Sequence, residues 1–172
     1  MIDSLIAQYT DCLSQLRAAL DGVSETDLDL APPEGGWTIR QIVHHIVDGD
    51  DLWKWCIKAA LGNAQGVFTL QWYWDVPQDV WADKWQYARR PIAPVLELLE
   101  TNRASIAEIL RATPDALARS VIVRWRERGG VAPERTALVS DILESQTRHL
   151  VGHIADIRKI RQIHRRNQRG EI

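Results

Sequence analysis

The spacing of apolar and polar positions predicts four long amphipathic helices. Apolar residues recur every three or four positions over roughly residues 2–20, 38–61 and 94–113, and again from about 133–136 to 160. Each apolar stripe can bury one helix face, while polar residues fill the opposite face. Four such helices joined by crossing segments predict an all-α fold, a four-helix bundle.

The second helix has the sharpest predicted start. Thr38 is a preferred N-cap residue, and Gln41 three positions later completes the capping-box pattern. A loop with Pro and Gly precedes them, and Gly62 is typical of a helix C-terminus. We therefore expect this helix to run from Thr38 to about Leu61.

Two segments between the helices have patterns of their own. Residues 62–80 have no clear period but are rich in aromatic side chains, so we expect them to pack over the domain. Walling or covering a pocket is a second, compatible role for this segment. Residues 120–127 alternate partly between apolar and polar side chains, which indicates an extended segment that Gly129 and Gly130 interrupt.

Length and composition suit one globular domain, because the chain has 172 residues, of which 45% are apolar and 26% charged. We assign the bundle to residues 1–160 and a basic C-terminal tail to residues 161–172. No apolar run approaches the roughly 20 residues that span a bilayer, and the acidic N-terminus does not fit a signal peptide. Cys12 and Cys56 form no CxxC motif, so we expect reduced thiols in a cytoplasmic protein.

The charge balance gives no general reason to expect a nucleic acid or a membrane as partner, because the chain has 21 Lys and Arg residues and 23 Asp and Glu residues. The segment from Arg158 to Arg169 is the exception, since its bases have no acid among them. Two interpretations of this segment stay open. It is either a patch that binds polyanions or an acidic partner, or a solvated helix end whose cations complement the helix dipole.

Histidines on the predicted inward faces are the candidate chemistry. His149 and His153 lie four positions apart within the apolar stripe of the last helix, where two imidazoles can share a metal ion. His45 supplies a third ligand if the second and last helices are neighbours. Three protein ligands leave one position open, as in catalytic zinc sites, where the metal lowers the pKa of bound water or thiol. Alternatively, His149 and His153 are core histidines hydrogen-bonded to each other and to Gln146.

Carboxylates accompany two of these histidines at a spacing of one helical turn. Asp48 follows His45 by three positions and Asp156 follows His153 by three, so either carboxylate can orient a ligand's second nitrogen or act as a base. Asp48 is our candidate catalytic residue. The neighbouring carboxylates are expected to belong to a solvated acidic face: Asp50 and Asp51.

Other residues and motifs narrow the choice of chemistry. His44 points about 100° around the helix from its neighbour, so we expect it to be exposed or to support a ligand rather than bind the same ion. The chain has no GxSxG, GxGxxG, P-loop, HExxH or EF-hand motif. Their absence argues against the common serine-hydrolase, nucleotide-binding, zincin and calcium-binding classes.

Two stretches of the sequence resemble a known family. The segment GWTIRQIVHHIVD, residues 36–48, and the segment RHLVGHIADI, residues 148–157, resemble the two signatures of the DinB/YfiT-like superfamily. The resemblance implies a four-helix bundle of up-down-down-up topology, often dimeric. It also implies a divalent metal ion, commonly zinc or nickel, bound by His45, His149 and His153.

The same resemblance implies a class of reaction. Family members of known activity include metal-dependent transferases and isomerases that use low-molecular-weight thiols such as bacillithiol, mycothiol or glutathione. We therefore expect a metal-dependent enzyme, active as a homodimer on a small substrate, that activates water or such a thiol as an S-transferase, isomerase or hydrolase. The alternative is a non-catalytic helical-bundle dimer used in stress-linked interaction. No substrate-binding signature of a particular subfamily is present.

Overall fold

The computed structural model describes residues 2–63, 66–125 and 134–169. Four long helices pack together, and two short helices lie between the second and third of them. The helices are α1 (Ile2–Leu20), α2 (Ile39–Gly62), α3 (Gln71–Trp74), α4 (Gln78–Lys84), α5 (Ala93–Ala112) and α6 (Val139–Gln168). The strands are β1 (Val67–Thr69), β2 (Ser120–Arg124) and β3 (Glu134–Leu138). The prediction of an all-α four-helix bundle is confirmed, with α1, α2, α5 and α6 as its helices.

The order in which the long helices pass two apolar clusters shows the topology of the bundle. Every long helix contributes to the lower cluster, for example through Ile6, Ile57, Ile106 and Leu143. The upper cluster includes another from each: Leu16, Val43, Leu99 and Ile157. Helices α1 and α6 run from the lower to the upper cluster, whereas α2 and α5 run the opposite way. This is the up-down-down-up order that the family resemblance implies.

A layer of buried polar side chains separates the two clusters. Asp50 on α2, Arg103 on α5 and Gln146 on α6 each stand between the lower-cluster and upper-cluster residues of their own helix. Arg103 donates to Asp50 Oδ1 at 2.8 Å and to the Tyr9 carbonyl at 2.7 Å, so its buried donors have partners. The predicted histidine site lies on the upper-cluster side of this layer, since His45 follows Val43 and precedes Val47 of that cluster.

A small sheet closes one side of the lower cluster. Strand β1 pairs with β2 in parallel, and β2 pairs with β3 antiparallel, with Ser120 opposite Leu138. Val121 and Val123 face the core from β2, which is the alternation that the sequence showed. The extended segment predicted at 120–127 is thus confirmed over 120–124.

The predicted start of the last helix, near residues 133–136, is wrong. Residues 134–138 form β3, and α6 begins at Val139, whose N–H donates to the Arg119 carbonyl at 2.9 Å. Residues 134–138 pair with the backbone of β2, and these strand hydrogen bonds outweigh the helical propensity of the segment. The predicted break at Gly129 and Gly130 lies outside the described residues.

The aromatic segment 62–80 carries more regular structure than its lack of period indicates. It contains β1, α3 and the start of α4. Tyr73 is buried, Trp72 is about half exposed, and the Trp81 indole donates to the Tyr73 carbonyl at 2.8 Å. The segment therefore packs over the domain through part of its aromatic side chains, as expected.

Helix α6 continues beyond the end of its apolar stripe. The stripe ends at Ile160, but the helix reaches Gln168, because the intervening arginines and glutamines are good helix formers. Arg161 donates to the carbonyls of Ala19 and Asp21 at 2.5 and 2.8 Å. The basic end of α6 thus supplies a cation to the C-terminal carbonyls of α1.

In the part of the chain that the structure describes, no helix combines the length and the apolar character that crossing a bilayer requires. Cys12 and Cys56 are both buried with free thiols.

Candidate metal centre

Three histidines from two helices meet beside the upper cluster of the bundle. His45 lies on α2, and His149 and His153 lie one turn apart on α6, a direct neighbour of α2. One ring nitrogen of each lies within 4.8 Å of the corresponding atoms of the other two. All three side chains are partly buried. The arrangement brings together the three residues that the sequence singled out as ligands.

The spacing of the ring nitrogens fits a single metal ion. His45 Nε2 lies 3.1 Å from His149 Nε2. Two nitrogens bound tetrahedrally to zinc at about 2.05 Å are about 3.3 Å apart, so a small adjustment places both at ligating distance. The same contact would suit a hydrogen bond between two neutral imidazoles. However, none of the hydrogen bonds described here joins Gln146 to either histidine of α6, as the core-histidine alternative requires.

Burial keeps the imidazoles of His45 and His149 neutral. Burial, with smaller contributions from His149 and His153, lowers the pKa of His45 to about 3. Burial, followed by His153 and Arg103, lowers the pKa of His149 to about 4. Neutral imidazole is the form that binds metal, because its second nitrogen keeps a free lone pair.

Neighbouring side chains fix the orientation of two of the rings. Asp156 Oδ2 lies 3.1 Å from His153 Nδ1, which leaves Nε2 of that histidine for a ligand. This carboxylate–histidine contact is the usual support for a metal-binding imidazole. The Trp37 ring packs edge-on against His45, with 4.5 Å between ring centroids.

Residues of the first signature fix the start of α2 and the loop before it. Thr38 and Gln41 form both hydrogen bonds of the capping box, as predicted, so the start of the helix is fixed two turns before His45. Arg40 is buried and donates to Asp29 at 2.8 Å and to Glu25 at 2.9 Å. The signature thus anchors the preceding loop to the helix that presents the ligand.

Asp48 has Tyr87 as its hydrogen-bond partner. Its carboxylate accepts a hydrogen bond from Tyr87, and burial raises its pKa above the ordinary value. Its Oδ2 is buried without a hydrogen-bond partner. Among the described hydrogen bonds, none joins Asp48 to a histidine, so a role as base or as support for a ligand stays a prediction.

Two neighbouring residues differ from expectation. His44, for which exposure was one expectation, is fully buried, stacks on Tyr87 at 5.3 Å and donates through Nε2 to the Arg90 carbonyl at 3.2 Å. Asp50, expected on a solvated acidic face, is buried with Arg103. For Asp50 the expectation was wrong, because its partner Arg103 comes from a distant part of the chain. For His44 exposure is excluded, whereas support of a ligand stays a prediction.

A cavity of about 360 Å³ adjoins the histidines. His45 and His149 line it, together with Gly49 and three polar side chains, Gln78, Ser145 and Gln146. Its remaining walls are aromatic or apolar: Leu52, Trp53, Leu70, Tyr73, Trp74 and Trp125. The volume lies within the range of small-molecule sites. The aromatic content of segment 62–80 indicated such a wall, but no local pattern identified Trp53, Gln78 or Trp125 as part of it.

Comparison with known proteins identifies the family. Residues 8–157 match the model of the DinB superfamily. The chain therefore belongs to the DinB superfamily, and the resemblance noted in its sequence is confirmed. Over 92% of this chain and 84% of the relative's length, it is 26% identical to a Geobacillus kaustophilus protein named "Putative metal-dependent hydrolase". A Bacillus cereus protein of the same description is 42% identical over 48 residues, 28% of each chain.

Solved structures show the same fold. YfiT from Bacillus subtilis, described as "a probable metal-dependent hydrolase with an unusual four-helix bundle topology", matches with a TM-score of 0.78 and 20% identity. The match covers 94% of this chain and 86% of YfiT. A mycothiol-dependent maleylpyruvate isomerase matches with a TM-score of 0.65 and 15% identity over 91% of this chain. This chain covers 60% of the isomerase.

Proposed function

We propose that the protein is a metal-dependent enzyme in which His45, His149 and His153 hold one divalent cation, either zinc or nickel. The observation that carries this proposal is the convergence of three ligand nitrogens, within 4.8 Å of one another, from two helices. Three imidazoles form a donor set that both ions accept. A cation bound there would lower the pKa of a bound water or thiol and supply a nucleophile near neutral pH.

We infer that the substrate is a small molecule and that the nucleophile is water or a low-molecular-weight thiol. Relatives named as metal-dependent hydrolases support water. The mycothiol-dependent isomerase of the same fold supports a thiol. The reaction is accordingly a hydrolysis, or a thiol-dependent S-transfer or isomerisation.

The chain's own residues prepare the site for this chemistry. Asp156 holds the His153 ring, and Trp37 restricts the His45 ring, so little ordering remains to be done when a cation binds. The adjoining cavity, with its aromatic walls, leaves room for a small substrate beside His45 and His149. Asp48 is a candidate base near Tyr73 of these walls, since burial and, to a lesser extent, the Asp48 carboxylate raise the pKa of the Tyr73 hydroxyl to about 12.

Metal analysis of protein purified without a histidine tag tests the centre. Wild-type protein reconstituted with zinc or nickel and then desalted is expected to retain one ion per chain by inductively coupled plasma mass spectrometry. His153→Gln is expected to lose stoichiometric metal while keeping the helical circular dichroism spectrum. The matched control is His164→Gln, since that histidine donates to the Ala31 carbonyl outside the site. Wild-type protein that retains neither metal would contradict the proposal and leave the non-catalytic bundle.

We further propose that the protein acts as a homodimer in the cytoplasm. The family resemblance supports the dimer, and the two free thiols suit a reducing compartment. Sedimentation velocity on untagged protein tests the oligomeric state. A monomer at micromolar concentration would contradict the dimer without affecting the metal centre.

A further inference from the structure

A second cavity, of about 300 Å³, lies next to the one that adjoins the histidines. The two cavities share three lining residues: Trp53, Trp125 and Ser145. The rings of Trp53 and Trp125 pack together with 5.8 Å between their centroids, so they form one wall common to both spaces. We call the cavity at the histidines the inner cavity and the second one the outer cavity.

Strand β3 and helix α6 place charged side chains around the outer cavity. Arg135 and Ala137 on β3 both line it, because residues two positions apart point to the same face of a strand. Asp141, Ser145 and Arg148 on α6 line it at intervals of four and three positions, which is the spacing of one helix face. Its charged lining residues are exposed, whereas the described lining of the inner cavity has no Asp, Glu, Lys or Arg.

Two of these charges have no partner within the described part of the chain. Glu144 and Arg148 pair with each other at 3.4 Å. None of the described ion pairs and side-chain hydrogen bonds involves the Arg135 guanidinium or the Asp141 carboxylate, and none joins the two. One cation and one anion are thus available to a ligand in the same cavity. The four charges of its described lining sum to zero, so the cavity does not favour a ligand with a net charge of either sign.

We propose that the outer cavity binds the zwitterionic end of a small amino-acid-type substrate, with the carboxylate at Arg135 and the ammonium group at Asp141. The rest of the substrate lies along Trp53 and Trp125 and brings its reactive end into the inner cavity. The inference names the chemical class of the small molecule, and for the reaction it rests on the proposed function. A guanidinium binds a carboxylate through two parallel N–H donors, and a carboxylate accepts from an ammonium group. A ligand with a single charge would satisfy only one of the two side chains.

Three probes that differ only in their charged groups test this inference without turnover. L-homophenylalanine carries an ammonium group and a carboxylate, 4-phenylbutanoate lacks the ammonium group, and 3-phenylpropylamine lacks the carboxylate. Each is titrated at neutral pH into zinc-loaded and into metal-free protein labelled with ¹⁵N at tryptophan, and NMR follows the indole N–H resonances. Trp53 lines both cavities and Trp74 only the inner one, and the resonance lost in each Trp→Phe variant assigns them. We expect the zwitterion to shift both resonances and to bind about fivefold more tightly than either other probe.

Two variants separate the roles of the two charged side chains. Arg135→Gln is expected to weaken binding of the zwitterion and of 4-phenylbutanoate about fivefold, the upper effect of one exposed ion pair, and to leave 3-phenylpropylamine unchanged. Asp141→Asn is expected to weaken binding of the zwitterion and of 3-phenylpropylamine by a similar factor, without weakening 4-phenylbutanoate. Both side chains are exposed, so neither change is expected to unfold the protein.

The chain offers a matched control for each variant. Asp3, like Asp141, is an exposed acid in the first turn of a long helix, so Asp3→Asn reproduces any general effect of that position. Arg111→Gln removes an exposed arginine of α5. Neither residue lines the inner or the outer cavity, and both controls are expected to bind all three probes like the wild type.

The outcomes separate this inference from the proposed function. Equal affinity for the three probes, or unchanged affinity for the zwitterion in both variants, would overturn the site even if the protein retains zinc. A zwitterion that shifts the Trp53 resonance but not that of Trp74 would overturn the path into the inner cavity. The crossed pattern of losses in the two variants would support the site even in protein that retains no metal, and in that case only the proposed metal chemistry fails.

Discussion

Arg103 Nη2 lies 2.7 Å from Asp50 Oδ1, and both side chains are only 1% exposed. The same guanidinium donates to the Tyr9 carbonyl and lies 3.0 Å from Cys12 Sγ, so one cation joins α5 to α2 and α1. The pair occupies the polar layer between the two apolar clusters. A charge buried this deeply is tolerated only because its partner is buried with it.

Asp50→Asn is therefore expected to destabilise the fold strongly. The substitution keeps the shape of the side chain but leaves the guanidinium without a counter-charge, which costs about 3–5 kcal/mol of unfolding free energy. Urea denaturation followed by circular dichroism measures the loss. Asp51→Asn is the control, because its partly exposed pair with Lys54 is expected to contribute less than about 1 kcal/mol. Equal losses in the two variants would contradict the role of the buried pair.

Asp156→Asn is expected to weaken metal binding without unfolding the protein. The carboxylate supports His153, and loss of such a support lowers metal affinity about 10- to 100-fold. Competition with a chromophoric chelator gives the affinity for zinc. Glu144→Gln removes another exposed acid of α6, one that pairs with Arg148, and is expected to bind zinc like the wild type. Unchanged affinity in Asp156→Asn would show that the histidine needs no such support.

Asp48→Asn distinguishes two roles for the carboxylate that the sequence singled out. Because its hydrogen bond goes to Tyr87, we expect the variant to retain stoichiometric metal. A role as base then requires that the rate of turnover falls while the metal content stays the same. Metal analysis and rate measurement on the same samples test both. Loss of metal from a folded variant would instead assign Asp48 to support of His45.

Cys56 and Cys12 are expected to resist alkylation in the folded protein. Burial raises the pKa of Cys56 to about 12, and burial is also the main cause that raises the pKa of Cys12. At pH 8 a thiol of pKa 12 is ionised in roughly one molecule in ten thousand, and the thiolate is the reactive form. After iodoacetamide treatment, mass spectrometry should find both thiols unmodified in the native protein and alkylated in protein unfolded in urea. Rapid modification without urea would contradict the buried state.

Local sequence patterns determined the long helices, the start of α2 and the pair of histidines on α6. The apolar periodicity located the four long helices, and Thr38 with Gln41 located the start of α2, because caps and amphipathic faces depend on residues within one or two turns. The spacing of His149 and His153 placed two imidazoles on one face for the same reason. The apolar face of the second helix offered His45 as a third ligand, and the family resemblance added the topology and the complete three-histidine set.

Only the tertiary structure decided the features that depend on residues far apart in the chain. Asp50 is buried because Arg103 arrives from α5, and residues 134–138 form a strand because β2 offers backbone partners. The distance between the His45 and His149 nitrogens is likewise set by the packing of α2 on α6. Hydrogen-bond and charge partners contributed by separate elements leave no periodic signal in the sequence, so the polar layer and the cavity could be recognised only once the helices were assembled.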